Sequence, residues 1–230
     1  MTPDEETRLL AACKASPSRS LYCAVVIYSN TGVRGAELRQ GRWGQVDFLK
    51  KEYRVGKAKT AASEGRIVPL NQAAMQAFED WRKQWPDAQP SDYIFPSEKL
   101  VFKGAGSPES GRMTPYAVDA SKPLGSWKTA WTTAKRQAGV ECRMHDLRHG
   151  FVSKLAETQT PDAIIEALAG HLSAKMREHY SHIRQDAKRR AVAGPTHLKR
   201  YMQSADRVGG RVAPAVLPHH RTCGSASGGS

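Results

Sequence analysis

Residues 46–70 read VDFLKKEYRVGKAKTAASEGRIVPL, and this stretch decides the fold class. It holds three short β-prone runs, Val46-Asp47-Phe48, Tyr53-Arg54-Val55 and Arg66-Ile67-Val68-Pro69-Leu70, separated by Lys-rich and Gly-containing turns. Their brevity and close spacing predict a small three-stranded antiparallel sheet, with Lys57, Lys59 and Arg66 on or beside the hairpin between the second and third strands. On both sides of this stretch the pattern turns helical.

Upstream, Leu9, Leu10 and Ala12, and then Leu21, Ala24, Val25 and Ile27, recur at near-helical spacing, which predicts helices over about residues 3–13 and 20–29. Thr31-Gly32-Val33-Arg34 breaks the second, and Gly35-Ala36-Glu37-Leu38 begins a short helix before Trp43. Downstream, Asn71 is a candidate N-cap for a helix carrying Ala74, Met75, Phe78 and Trp81 or Arg82. From Lys99 to Gly125 the chain is rich in Gly, Ser and Pro with little periodicity, which predicts a long loop with a short helix at most. Its Gly104-Ala105-Gly106 lacks the GK[ST] ending of a phosphate loop. Further helices are expected over about residues 126–138, 145–157, 161–169 and 173–178, with a basic helix over about 185–193. Residues 205–230 are Gly-, Ser- and Pro-rich and poor in core residues, and a disordered tail is expected there. The expected fold is α+β and mainly α-helical, one main domain over residues 1–204 with the sheet packed on a helical bundle.

Lys and Arg number 35 against 22 Asp and Glu, a net charge of +13, with a pI of about 9.8. That balance favours a polyanionic partner, nucleic acid before an acidic membrane surface. No run approaches the roughly 18 apolar residues of a spanning helix, and no basic amphipathic anchor is present. Met1-Thr2-Pro3-Asp4-Glu5-Glu6 is acidic and lacks the charged and apolar regions of a signal peptide, so a cytoplasmic protein is expected. Cys13, Cys23, Cys142 and Cys223 are scattered without a CxxC pair, which points to neither a disulfide framework nor a thiolate zinc site.

The chemistry concentrates in His145-Asp146-Leu147-Arg148-His149, Gly170-His171 and His179-Tyr180-Ser181-His182. On a helix His145 and Arg148 share a face, and His149 lies one turn from His145. Arginine suits a phosphodiester because its planar fork donates two parallel hydrogen bonds and stays charged at any working pH. Arg34, following a glycine break, supplies a second guanidinium at a helix end. His145 and His149 are also spaced as a metal pair, but the glutamate of an HExxH motif is missing, so no metal is expected.

These boxes, in order, resemble the catalytic domain of the tyrosine recombinases, the phage integrase family. The matching elements are Thr31-Gly32-Val33-Arg34 with Glu37-Leu38, Lys59-Thr60 leading into Arg66-Ile67-Val68-Pro69-Leu70, His145-Asp146-Leu147-Arg148-His149, Leu168-Ala169-Gly170-His171 and His179-Tyr180-Ser181-His182. The resemblance covers roughly residues 2–190 and implies an integrase-type catalytic fold. It implies that Arg34 and Arg148 clamp the scissile phosphate, that His145 assists proton transfer or hydrogen-bonds the phosphate, and that His171 donates to a nonbridging oxygen. Lys59 would protonate the departing 5′-hydroxyl, and Tyr180 would attack phosphorus to form a 3′-phosphotyrosyl link. His149 and His182 would orient or pack rather than react. No cofactor or metal is implied, because the bond energy is stored covalently and the arginines supply the charge.

The implied partner is double-stranded DNA, worked on by a homo-tetramer with exchange of the segment after Tyr180. With about thirty residues before Arg34, a separate N-terminal core-binding domain is expected to be absent, which would weaken DNA binding and reduce its salt slope. Gly150 and Ala169 depart from the family's usual hydroxyl and bulky residues at those places. The alternative functions are a DNA-binding remnant that does not recombine and a type IB topoisomerase.

Overall fold

The three β-prone runs pair as expected in the computed structural model, which describes residues 1–56, 64–100, 116–158 and 160–193. Strand β1 (Val46–Asp47) lies antiparallel to β2 (Glu52–Arg54), with Val46 opposite Tyr53, and β2 lies antiparallel to β3 (Ile67–Pro69), with Tyr53 opposite Val68. The alternation turns Tyr53 and Val68 inward, both fully buried, and leaves Arg54 and Ile67 outside. Lys59, Gly104-Ala105-Gly106 and the 205–230 tail lie outside the described residues.

Helix α2 (Leu21–Thr31) is apolar almost all round, and Leu21, Cys23, Ala24, Val25, Ile27, Tyr28 and Thr31 are all buried. A helix of that kind belongs at the centre of a bundle. Around it pack α1 (Pro3–Lys14), the short α3 (Gly35–Arg39), α4 (Gln72–Arg82) and α6 (Asp146–Glu157), while α5 (Lys128–Ala138) covers α1. Local sequence sets the ends. Thr2 and Glu5 form a reciprocal capping box on α1, and the Asn71 side chain caps α4 by accepting from the Ala74 amide. On α4, Trp81 is fully buried, stacks on Phe95 and donates its indole N–H to the Ile94 carbonyl at 2.6 Å, so its polar atom is satisfied in the core.

Two expectations are corrected. The region read as a loop after Lys99 contains a strand: β5 (Tyr116–Pro123) pairs antiparallel with β4 (Pro96–Leu100), with Ser97 opposite Asp119. Its Asp, Ser, Lys and Pro content hides it, since backbone pairing rather than apolar alternation defines this ribbon. The two helices expected over 173–178 and 185–193 are one, α8 (Ala174–Ala193). Met176, Tyr180 and Ile183, spaced four and three residues apart, give α8 an apolar stripe that joins Val152 and Ala156 of α6 with Ile165 and Ala169 of α7 (Asp162–Ala169). Residues Met1–Lys188 form one compact unit, and no described helix is long and apolar enough to cross a membrane.

The turn after α2 tests this architecture at one residue. Gly32 caps the helix with φ of 62°, and a Cβ there would sit 2.3 Å from the Phe151 ring. Gly32→Ala should therefore lower the unfolding free energy by about 1–3 kcal/mol in chemical denaturation. Gly150→Ala, inside α6 where a Cβ meets nothing within 4 Å, should leave stability unchanged or raise it by up to about 1 kcal/mol.

Candidate active site

Arg148 sits in the first turn of α6 with only 2% of its surface exposed. Its guanidinium donates to the Gly32 carbonyl, in the turn after α2, and to the Ala169 carbonyl at the end of α7. Neither acceptor carries a formal charge. Burial pushes Arg148 down to about 10, with Arg34 acting in the same direction and Glu37 opposing, so it remains a cation at neutral pH. A buried cation held by neutral carbonyls is suited to receiving an anion.

Arg34 stands two residues beyond Gly32, at the N-cap of α3. Its Nη1 donates to Glu37 Oε1 at 2.8 Å, its backbone N–H donates to Glu37 Oε2 at 2.8 Å, and its Nη2 donates to the His171 carbonyl at 3.2 Å. Glu37, itself buried, is shared with Arg66, whose Nη2 lies 2.6 Å from Oε2 and Nη1 3.2 Å from Oε1. Arg66 Nε also donates to the Leu168 carbonyl at 3.1 Å. Burial works against the Glu37 carboxylate, but the hydrogen bonds from Arg66 and Arg34 outweigh it and hold its pKa below the usual range. Among the described residues, the guanidinium groups of Arg34 and Arg66 share the Glu37 carboxylate, and Arg148 lies close enough for its charge to be felt by both.

The aromatic half of the site is built by α6 and α8. Tyr180 is buried, and its hydroxyl lies 3.2 Å from His149 Nδ1. Burial raises the Tyr180 phenol above its ordinary pKa, with Arg148 pulling it back. His145, at the N-cap of α6, directs its Nδ1 at the Tyr28 hydroxyl, 3.4 Å away, and its ring packs edge-on against His149 with centroids 5.1 Å apart. Both imidazoles are held below their ordinary pKa by burial, so both favour the neutral form at neutral pH. His171 follows Gly170, whose φ of 75° and ψ of −170° lie in a region essentially reserved for glycine, and its side chain is exposed.

Of the six residues singled out in the sequence, Arg34 reaches the His171 carbonyl, Arg148 reaches the carbonyl of Ala169 two residues earlier, Tyr180 and His145 both meet His149, and Lys59 lies outside the described residues. Sequence reasoning missed the bridging role of Glu37 and the part played by Arg66. Glu37 had a signal: a glutamate three residues after a helix-starting position commonly reaches back to that position's amide. Nothing comparable marked Arg66, whose partners come from distant segments. Among the described residues no cluster of three His, Cys, Asp or Glu side chains is placed to hold a metal ion.

Comparison with known proteins places this geometry. The profile of the phage integrase family matches residues 1–186. The integrase of Salmonella phage P22 is 25% identical over 215 residues, covering 93% of this chain and 49% of that protein. Tyrosine recombinase XerC of Haemophilus ducreyi is 29% identical over 168 residues, covering 72% of this chain and 48% of that protein. The chain thus spans about half the length of these curated relatives. Among solved structures, XerA recombinase shares the fold, with a TM-score of 0.57 at 22% identity over 85% of this chain and 65% of that one. The family match extends over the helical core, the sheet and the buried arginine site together, and the chain belongs to the phage integrase family.

Proposed function

We propose that this chain carries the catalytic site of a site-specific DNA recombinase, which cuts and rejoins double-stranded DNA through a phosphotyrosyl intermediate on Tyr180. The observation that carries the reading is that Arg148 joins the turn that presents Arg34 to the turn that presents His171, while the next residue, His149, meets the phenol of Tyr180. The net charge of +13 supplies the long-range attraction to a polyanion.

In this reading the scissile phosphate lies against Arg34 and Arg148, which neutralise the charge that builds on its nonbridging oxygens. His145 and His171 add hydrogen bonds to the same group. Tyr180 Oη attacks phosphorus, the phosphorus–O5′ bond breaks, and Lys59 gives a proton to the departing oxygen. The 3′-phosphotyrosyl link keeps the energy of the diester, so a second 5′-hydroxyl reverses the step without a nucleotide cofactor. Tyr180 is buried in the DNA-free chain, so DNA binding has to bring the phosphate and the phenol into contact. Assembly of a homo-tetramer on two duplexes belongs to the same reading, as does a catalytic unit over residues 1–204.

A nicked suicide duplex, from which the cleaved fragment diffuses away, should trap a covalent protein–DNA adduct with the native chain and none with Tyr180→Phe. Binding without an adduct overturns the reading. Arg34→Ala should slow adduct formation by on the order of 10²–10³-fold, the usual effect of removing one positioned donor.

Glu37 holds Arg34 and sets an acid limit on the fold. In the folded chain its carboxyl stays ionised below the unfolded value of 4.5, so the stability it contributes is complete above that value and is lost as pH falls through the folded value. His145 and His149, both depressed from 6.5, act in the same direction from that pH downward. Glu37→Gln should therefore flatten the part of the acid decline that falls in the carboxylate range, measured as denaturant midpoint against pH, and slow cleavage while the histidine part persists. A carboxylate-range decline identical to that of the native chain contradicts this role for Glu37.

A further inference from the structure

The family resemblance gives His145 either proton transfer or a hydrogen bond to the phosphate and leaves His149 to orient or pack, and the geometry separates the two imidazoles. His145 directs its Nδ1 at Tyr28, whereas His149 directs its Nδ1 at Tyr180. We infer that His149 is the catalytic residue that accepts the phenolic proton of Tyr180 as the tyrosine attacks phosphorus. The inference rests on the recombinase reading above and assigns one step within it.

The contact has the form of a nucleophile paired with its base, a hydroxyl and an imidazole nitrogen 3.2 Å apart. A phenol of pKa about 10 is neutral at pH 7, and burial raises this one further, so attack needs an acceptor in contact with it. A neutral His149 with its proton on Nε2 presents the Nδ1 lone pair to that hydroxyl. Burial keeps the ring neutral, the state in which it can accept.

Charged groups face the ring from several elements. From α6 come Asp146, which favours the imidazolium once formed, and Arg148, which opposes it together with Arg143 just before the helix. From α8 come His179 and Tyr180, and His145 stands one turn back on α6. A cavity of about 780 Å³ that His149 also lines brings Glu5 and Glu6 of α1, with Glu141 and Cys142 from the segment before α6. Lys154 and Glu157, later on α6, complete its charged lining. Asp146 is the carboxylate that favours a transient cation on the ring, against Arg143, Arg148 and His179.

The step balances. The Oη–phosphorus bond forms as the Oη proton passes to His149 Nδ1, and the phosphorus–O5′ bond breaks as O5′ takes a proton from the general acid. On rejoining, the phosphorus–O5′ bond forms as the incoming 5′-hydroxyl gives its proton back to the deprotonated general acid, and the Oη–phosphorus bond breaks as His149 returns its proton to Oη.

His149→Asn is the discriminating variant, because its side-chain amide can still hold the phenol but accepts no proton at working pH. Adduct formation on the suicide duplex should fall by on the order of 10²–10⁴-fold in this variant. The native rate should rise with pH to a plateau as His149 loses its proton, and the variant should lack that inflection and keep climbing toward phenol ionisation. A rate and pH profile equal to the native chain's overturns the inference while leaving Tyr180 as nucleophile. Absence of any adduct with the native chain, under conditions where the duplex is bound, overturns both.

A second measurement needs no variant. Nitrogen-15 NMR of the histidine-labelled native chain should show His149 Nδ1 unprotonated and hydrogen-bonded at neutral pH. A protonated Nδ1 there, donating to the phenolic oxygen, overturns the inference whatever the variant does.

Discussion

A single buried guanidinium ties the site to the fold. Arg148 reaches from the first turn of α6 to carbonyls in the turn after α2 and at the end of α7, so three helices meet on one cation. Placing that charge in the interior is unfavourable unless it is well hydrogen-bonded, and carbonyl dipoles meet this need without cancelling the charge. The surrounding backbone follows from that constraint. Gly32 and Gly170 both take positive φ in the turns that lead to Arg34 and His171, and Arg34 donates to the His171 carbonyl.

Electrostatics then divides the labour between neighbouring cations. Glu37 is engaged by Arg34 and by Arg66, which links β3 and the α7 terminus to the clamp and fixes Arg34 before any ligand arrives. Arg148 has carbonyls instead, and its charge remains available. A site held in place before binding loses little in reorganisation when negative charge develops on the phosphate, which is the condition under which positioned donors are most effective. Burial raises the phenol of Tyr180 and lowers both imidazoles, and His149 Nδ1 lies 3.2 Å from the phenolic oxygen.

Much of this was legible in the chain. The period-two runs of residues 46–70 and the apolar spacing of α2 and α4 mark the sheet and the central helices because burial on one face forces those patterns. Arg34, Arg148, His171 and Tyr180 stood out as ordered boxes; Arg34 reaches the His171 carbonyl, Arg148 reaches the carbonyl of Ala169, and Tyr180 meets His149, the residue after Arg148. The β4–β5 ribbon was hidden because its Asp, Ser, Lys and Pro content gives no apolar alternation to read, while its backbone pairs in register. Helix α8 was read as two pieces because its stripe of Met176, Tyr180 and Ile183 meets α6 and α7, a surface invisible from α8 alone. Arg66 and His149 resisted reading for the same reason: their partners lie on segments far away in sequence.

The account stands on Tyr180 as the atom that takes DNA, and peptide mapping of the trapped adduct addresses that most directly. After nuclease trimming and tryptic digestion, the residual nucleotide mass should sit on the peptide Glu178–Arg184, at Tyr180, in mass spectrometry. Nucleotide mass on any other peptide would contradict the account, however efficiently the adduct formed.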